Sequence, residues 1–76
     1  MPPHITREAI RTVAQLAIGD RRAWRAVKRA KGTTEPLHMA RIGIHHRLLF
    51  VLEGSSMEVI ELVSRESLYV ALKRHT

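Results

Sequence analysis

The sequence predicts an α+β fold: a helical hairpin, a three-stranded antiparallel sheet and a short closing helix, in the order α-α-β-β-β-α. Three observations predict it. Apolar residues recur at helical spacing up to about Lys31. Short apolar runs separated by glycine- and serine-bearing turns come after Pro36, and helical spacing returns after Ser64.

Thr6 is placed to cap a first helix over about 6–18, with Glu8 near its positive end and Ile10, Val13, Ala14 and Ala17 at helical spacing. Gly19 can close that helix in a left-handed conformation, and Asp20 can cap a second one whose apolar stripe is Ala23, Trp24, Val27 and Ala30. So tight a connection makes an antiparallel pair. Gly32-Thr33-Thr34-Glu35-Pro36 then takes the chain out of helical structure.

Leu37 to Ile42 reads as a strand of mixed polarity and Gly43-Ile44-His45 as the turn after it. Arg47 to Leu52 is apolar on both faces, as a central strand covered on each side must be. Glu53-Gly54-Ser55-Ser56 forms a hairpin turn, and Met57 to Val63 is the third strand of the meander. Ser64 can cap the last helix, with Leu68, Ala71 and Leu72 facing inward and Lys73-Arg74 near its negative end. The helical pair is expected on one sheet face and the last helix at the sheet edge, with Leu48, Phe50, Leu52, Ile60 and Leu62 largely buried.

A chain of 76 residues has room for one domain, spanning 1–76. At this size about 60% of the unfolded chain's surface is buried on folding. No run approaches the roughly 18 apolar residues of a membrane span, and Met1-Pro2-Pro3-His4 lacks a secretion-signal layout. A cytoplasmic location without membrane contact is expected. The absence of cysteine excludes disulfides and thiolate metal sites.

Thirteen Lys and Arg against seven Asp and Glu give a net charge of +6, a strong field on so small a surface. Arg21, Arg22, Arg25, Lys28, Arg29 and Lys31 are concentrated in one acid-free stretch, whereas Glu53, Glu58, Glu61 and Glu66 surround the third strand. On a helix, Arg21, Arg25 and Lys28 would share one side, and Arg22 and Arg29 another. With Arg41, these six make a candidate nucleic-acid surface, because each neutralised phosphate adds affinity. Trp24 lies within the apolar stripe and belongs to the core.

Arg47 and Arg65 are candidate phosphate donors, since guanidinium forks bind phosphate bidentately. The alternative is that Arg47 is a solvated strand-end charge, Arg65 pairs with Glu66 or Glu61, and Tyr69 is half-buried core. His38, His45 and His46 cluster near one turn, and histidine suits acid–base work near neutrality. Adjacent strand residues point to opposite faces, so His45 and His46 cannot both serve one site. His46 is the candidate retained. No Asp, Glu or Cys stands at ligand spacing from these histidines, so neither a metal site nor any other cofactor is expected.

From about Trp24 to His75 the chain resembles the RelE/ParE superfamily of toxins from bacterial toxin–antitoxin systems. The resemblance rests on Ala40-Arg41-Ile42-Gly43, on His46-Arg47-Leu48-Leu49-Phe50 where the family has aromatic-Arg-apolar-apolar-aromatic, and on Arg65 four residues before Tyr69. It implies a cognate antitoxin partner. It also implies one of three activities: a metal-independent, ribosome-dependent mRNA endonuclease, which is favoured; a ParE-like inhibitor of DNA gyrase; or a non-catalytic binding module. In the nuclease case Arg47, Arg65, Tyr69 and His46 are the catalytic candidates, with Tyr69 stacking on a base or moving a proton. The family usually begins with a strand for which Met1 to Ile5 leaves little room, and its nuclease branch carries lysines where Leu37 and Met39 stand here.

Overall fold

A computed structural model describes residues 2–31 and 36–74. Helix α1 runs from Pro3 to Ala17 and starts earlier than the Thr6 cap predicted, with Pro2 at the cap position and Pro3 in the first turn. Proline is suited to that turn, where its missing N–H would be unpaired anyway. The Pro2 carbonyl instead receives the N–H groups of Ile5 and Thr6 at 3.1 and 3.3 Å. The packed stripe is also rotated from the one predicted. Ile5, Ala9 and Leu16 are buried with Val13 beside them, whereas Ile10 is 65% exposed and Ala14 and Ala17 face solvent.

Gly19 adopts the left-handed conformation (φ +80°) that ends α1, and the Asp20 carboxylate accepts from the N–H groups of Arg22 and Ala23, as expected of a cap. The helix it caps, α2, spans only Arg21–Arg25. Beyond it Val27–Arg29 forms a strand, β1, which corrects the expectation of a helix reaching Lys31. The next strand, β2 (Leu37–Ile42), would otherwise leave an open edge. β1 pairs with that edge, and the Ala30 N–H donates to the Leu37 carbonyl at 2.9 Å. The expected break at Gly32 to Glu35 lies outside the described residues.

Strands β3 (His46–Glu53) and β4 (Ser56–Ser64) complete an antiparallel sheet in the order β1-β2-β3-β4, four-stranded and not three-stranded. The strand missing from the predicted count comes from within the predicted second helix. The β2–β3 and β3–β4 turns fall where glycine and serine placed them. Between Leu49 and Phe50 the register slips, because β4 carries Ile60 as an extra residue between Val59 and Glu61.

The sheet is apolar on both faces. One face presents Ala40, Ile42, Leu48 and Phe50 to α1, with Ala23, Trp24 and Val27 around the margin. Phe50 lies at its centre, wholly buried, with Trp24 edge-on at 6.2 Å and the His38 ring stacked at 5.6 Å. The other face presents Leu49 and Val63 to Ala71 of α3 (Leu68–Lys73), with Met39, Ile60, Leu68 and Leu72 packed around them. The last helix therefore covers the second face and is not confined to the edge.

Of the five residues expected in the core, Leu48 and Phe50 are buried and Leu52, Ile60 and Leu62 are half-buried. β4 is an edge strand, and α1 lies mainly over β2. An apolar groove about 340 Å³ in volume therefore remains between Ile10 and Val13 of α1 and Val59 and Leu62 of β4. Ser64 caps the turn leading into α3 and not the helix itself, accepting the Ser67 N–H at 3.3 Å. Among the described residues no helix is long and apolar enough to cross a membrane.

Candidate anion-binding site

Strand alternation decides which cations meet. In β2, Ala40 and Ile42 face α1, so Met39 and Arg41 face the other way; in β3, Leu48 and Phe50 face α1, so Arg47 and Leu49 do not. The β1 register sets Val27 against Ala40 and Lys28 against Met39, which puts Lys28 on the same face as Arg41 and Arg47. Because α3 packs at the β4 side, the β1–β2 side of this face stays open. There Ala26, Lys28, Met39, Arg41 and Arg47 line a cavity of about 240 Å³.

Arg41 and Arg47 are directly opposite each other across β2 and β3. Like charges in that relation repel, and no acidic side chain lines the cavity to offset them. The β2–β3 turn holds both side chains. Arg41 Nε donates to the Gly43 carbonyl at 3.2 Å, while Arg47 Nη1 donates to the His46 carbonyl at 2.8 Å and lies 3.5 Å from that of Ile44. Gly43 allows this turn through its positive φ of +62°. Each guanidinium has five N–H donors, so most remain for a ligand.

The other predicted site residues are distributed unevenly. The Arg65 N–H donates to the His45 carbonyl at 2.6 Å, tying the turn after β4 to the turn before β3. That link brings the Arg65 backbone beside the segment holding Arg47, although Arg65 does not line the cavity. Glu61, a possible partner of Arg65 by sequence, instead pairs with Arg74 at 3.2 Å. Tyr69 is 68% exposed and is not half-buried core. The Lys73 ammonium lies 4.7 Å from its ring centroid.

His46 stands between Ile42 and Ser64 in register, on the α1 face and hence across the sheet from Arg47. Its Nδ1 is buried without a hydrogen-bond partner among the described residues. His38 is occupied by Phe50 and the Pro36 carbonyl, and His45 is exposed in the turn.

The basic segment does not form two helical sides. Arg21, Arg22 and Arg25 are exposed on α2, Lys28 enters the cavity, and Arg29 and Lys31 are exposed on and beyond β1. By sequence Lys28 and Arg41 belong to the candidate nucleic-acid surface and Arg47 to the separate catalytic set, whereas the fold brings the three to one recess. The signal available was β-branched Val27 close before Gly-Thr-Thr-Glu-Pro, a segment that fits a hairpin connection as well as a helix stop.

Helices on both faces of a small antiparallel sheet, with a cationic recess on one of them, make a compact α+β domain. Residues 3–69 match the family model for the ParE-like toxin domain, and the chain belongs to that family. No curated protein and no solved structure gives a significant match to it. Membership makes the chain a toxin of the toxin–antitoxin kind and implies an antitoxin partner.

Proposed function

We propose that this toxin acts by binding its target, as a ParE-like inhibitor of DNA gyrase, and not by cleaving mRNA. The observation that carries this is the separation of Arg47 from the groups that would move protons. RNA cleavage by a 2′-hydroxyl needs a base at that hydroxyl and an acid at the leaving oxygen, both within hydrogen-bond reach. His46 lies across the sheet, and Tyr69 is exposed against Lys73 outside the cavity. The cavity itself offers only a lysine and two arginines, donors that bind anions, and neither His46 nor Tyr69 is among its lining residues.

Ribosome-dependent mRNA cleavage remains the second reading. It is favoured by Arg47 sharing a recess with two further cations and by the link that holds Arg65 next to the same turn. Induced expression with supercoiling and translation followed separately decides between them. Early loss of supercoiling with translation continuing is expected; arrested translation and cleaved transcripts with normal supercoiling would overturn the inhibitor reading.

A further inference from the structure

We infer that residues 26–31 are a conformational switch: they form strand β1 in one state and continue α2 in another, and Lys28 joins or leaves the recess accordingly. The switch belongs to the chain itself and operates whichever target the toxin has.

Local preference and tertiary pairing disagree over this segment. Every residue from Arg21 to Lys31 other than Trp24 and Val27 is Ala, Arg or Lys, all strong helix formers, and Ala and Lys are depleted in strands. No glycine, asparagine or proline stands there to stop a helix, yet α2 ends at Arg25. Ala26 is still close to helical conformation (φ −86°, ψ −3°), and its N–H donates to the Ala23 carbonyl at 3.2 Å. The chain becomes a strand only at Val27, where the edge of β2 captures it.

That capture is slight. β1 has three register pairs with β2, and its other side is an edge of the sheet. Lys28 and Arg29 are exposed, so burial holds the strand only through Val27 and Ala30. Those two also fall on one helical stripe with Ala23 and Trp24, so a longer α2 keeps them turned toward the same margin of the core. The five residues from Gly32 to Pro36 can span about 17 Å, which supplies slack for the shorter rise of a helix.

The two states differ most at Lys28. On β1 it stands against Met39 and lines the recess with Arg41 and Arg47. On a longer helix it shares one side with Arg21 and Arg25, at i, i+4 and i+7, and the recess keeps only its two arginines. The helical state also bares the edge of β2, so β1 acts as a strap along one side of the recess.

NMR exchange measurements on the 76-residue chain test this, since saturation transfer and relaxation dispersion detect minor states on the microsecond-to-millisecond scale. One process is expected to be shared by residues 26–31 and by Leu37 to Ala40 on β2. Its minor state should hold about 0.1–10% of the molecules and show helical Cα shifts over 26–31.

Variants outside the recess supply the opposite signs. Pairs in antiparallel strands alternate between bonded and non-bonded, and Ala30 donates to Leu37, so Arg29, opposite His38, has its N–H on the open edge. Arg29→Pro therefore fits the strand but not the helix, and should abolish the helical minor state. Val27→Leu, better in a helix and worse in a strand, should raise that population about threefold or more. A minor state with random-coil shifts would mean fraying alone and overturn the inference, as would the absence of exchange over 26–31 in the parent chain. Both are read on the parent, so a misfolded variant does not leave the question open. An unchanged minor state in a folded Arg29→Pro would overturn it as well.

Discussion

The indole N–H of Trp24 donates to the main-chain carbonyl of Leu16 at 3.0 Å, joining α2 to the end of α1. The Leu16 carbonyl also accepts the Gly19 N–H at 3.1 Å, so the indole takes the second acceptor position of a carbonyl at the helix end. The same ring stands edge-on to Phe50, so one side chain links both helices to the sheet. Trp24→Phe should keep an aromatic contact but lose the hydrogen bond. The expected cost is about 1–2 kcal/mol, read as a lower midpoint in chemical denaturation with an unchanged slope.

Asp20 governs the direction in which the chain leaves α1. Its carboxylate accepts the Arg22 N–H at 2.8 Å and sits at the start of a helix only five residues long. Such a helix has little stability of its own, so the loss of its cap should be felt by the whole domain. Asp20→Ala should cost about 1 kcal/mol and Asp20→Asn much less, as measured by thermal melting of the two variants.

The fold was legible where local pattern and tertiary need agree. Gly19 and Asp20 end one helix and start the next by backbone chemistry alone, and strands β2 to β4 arise from apolar runs punctuated at Gly43 and Gly54. β1 was not legible, because Ala23, Trp24, Val27 and Ala30 fit a helical stripe as well as a turn and a strand. The unpaired edge of β2, far along the chain, decides between them. The site was legible residue by residue but not as a group. Whether Lys28 meets Arg41 and Arg47, or His46 is parted from them, depends on strand register, which composition and spacing do not set.

Gly43 joins the fold to the cavity. It takes φ +62°, and its carbonyl holds Arg41 Nε. A methyl group there would find ordinary contacts to Ile5 and Glu8 at 3.6 and 3.7 Å, so the conflict in Gly43→Ala is conformational and not steric crowding. The variant should lose about 1 kcal/mol of stability. If the turn relaxes, it should also release Arg41, giving weaker anion binding than a loss of stability alone predicts. Gly43→Asn, better tolerated in the left-handed region, should recover much of both, and melting and titration on the same samples check this.

Growth arrest gives the final prediction, since binding and cleavage require different residues. If the toxin works by binding through the cationic recess, Arg47→Ala should relieve arrest, and Lys28→Ala and Arg41→Ala should do so in part. Tyr69→Phe should remain toxic, because the hydroxyl of a residue 68% exposed and outside the recess has no proton to deliver there. Arg65→Ala should be intermediate: its main-chain bond to His45 survives, and only the charge is lost. If the toxin is a nuclease, Tyr69→Phe should instead reduce toxicity alongside the arginine variants, since each would remove part of one transition-state arrangement. Losing one preorganised donor typically lowers the rate by about 10²–10³-fold. Induction of all five variants at matched protein level, with melting confirming the fold, separates the two patterns.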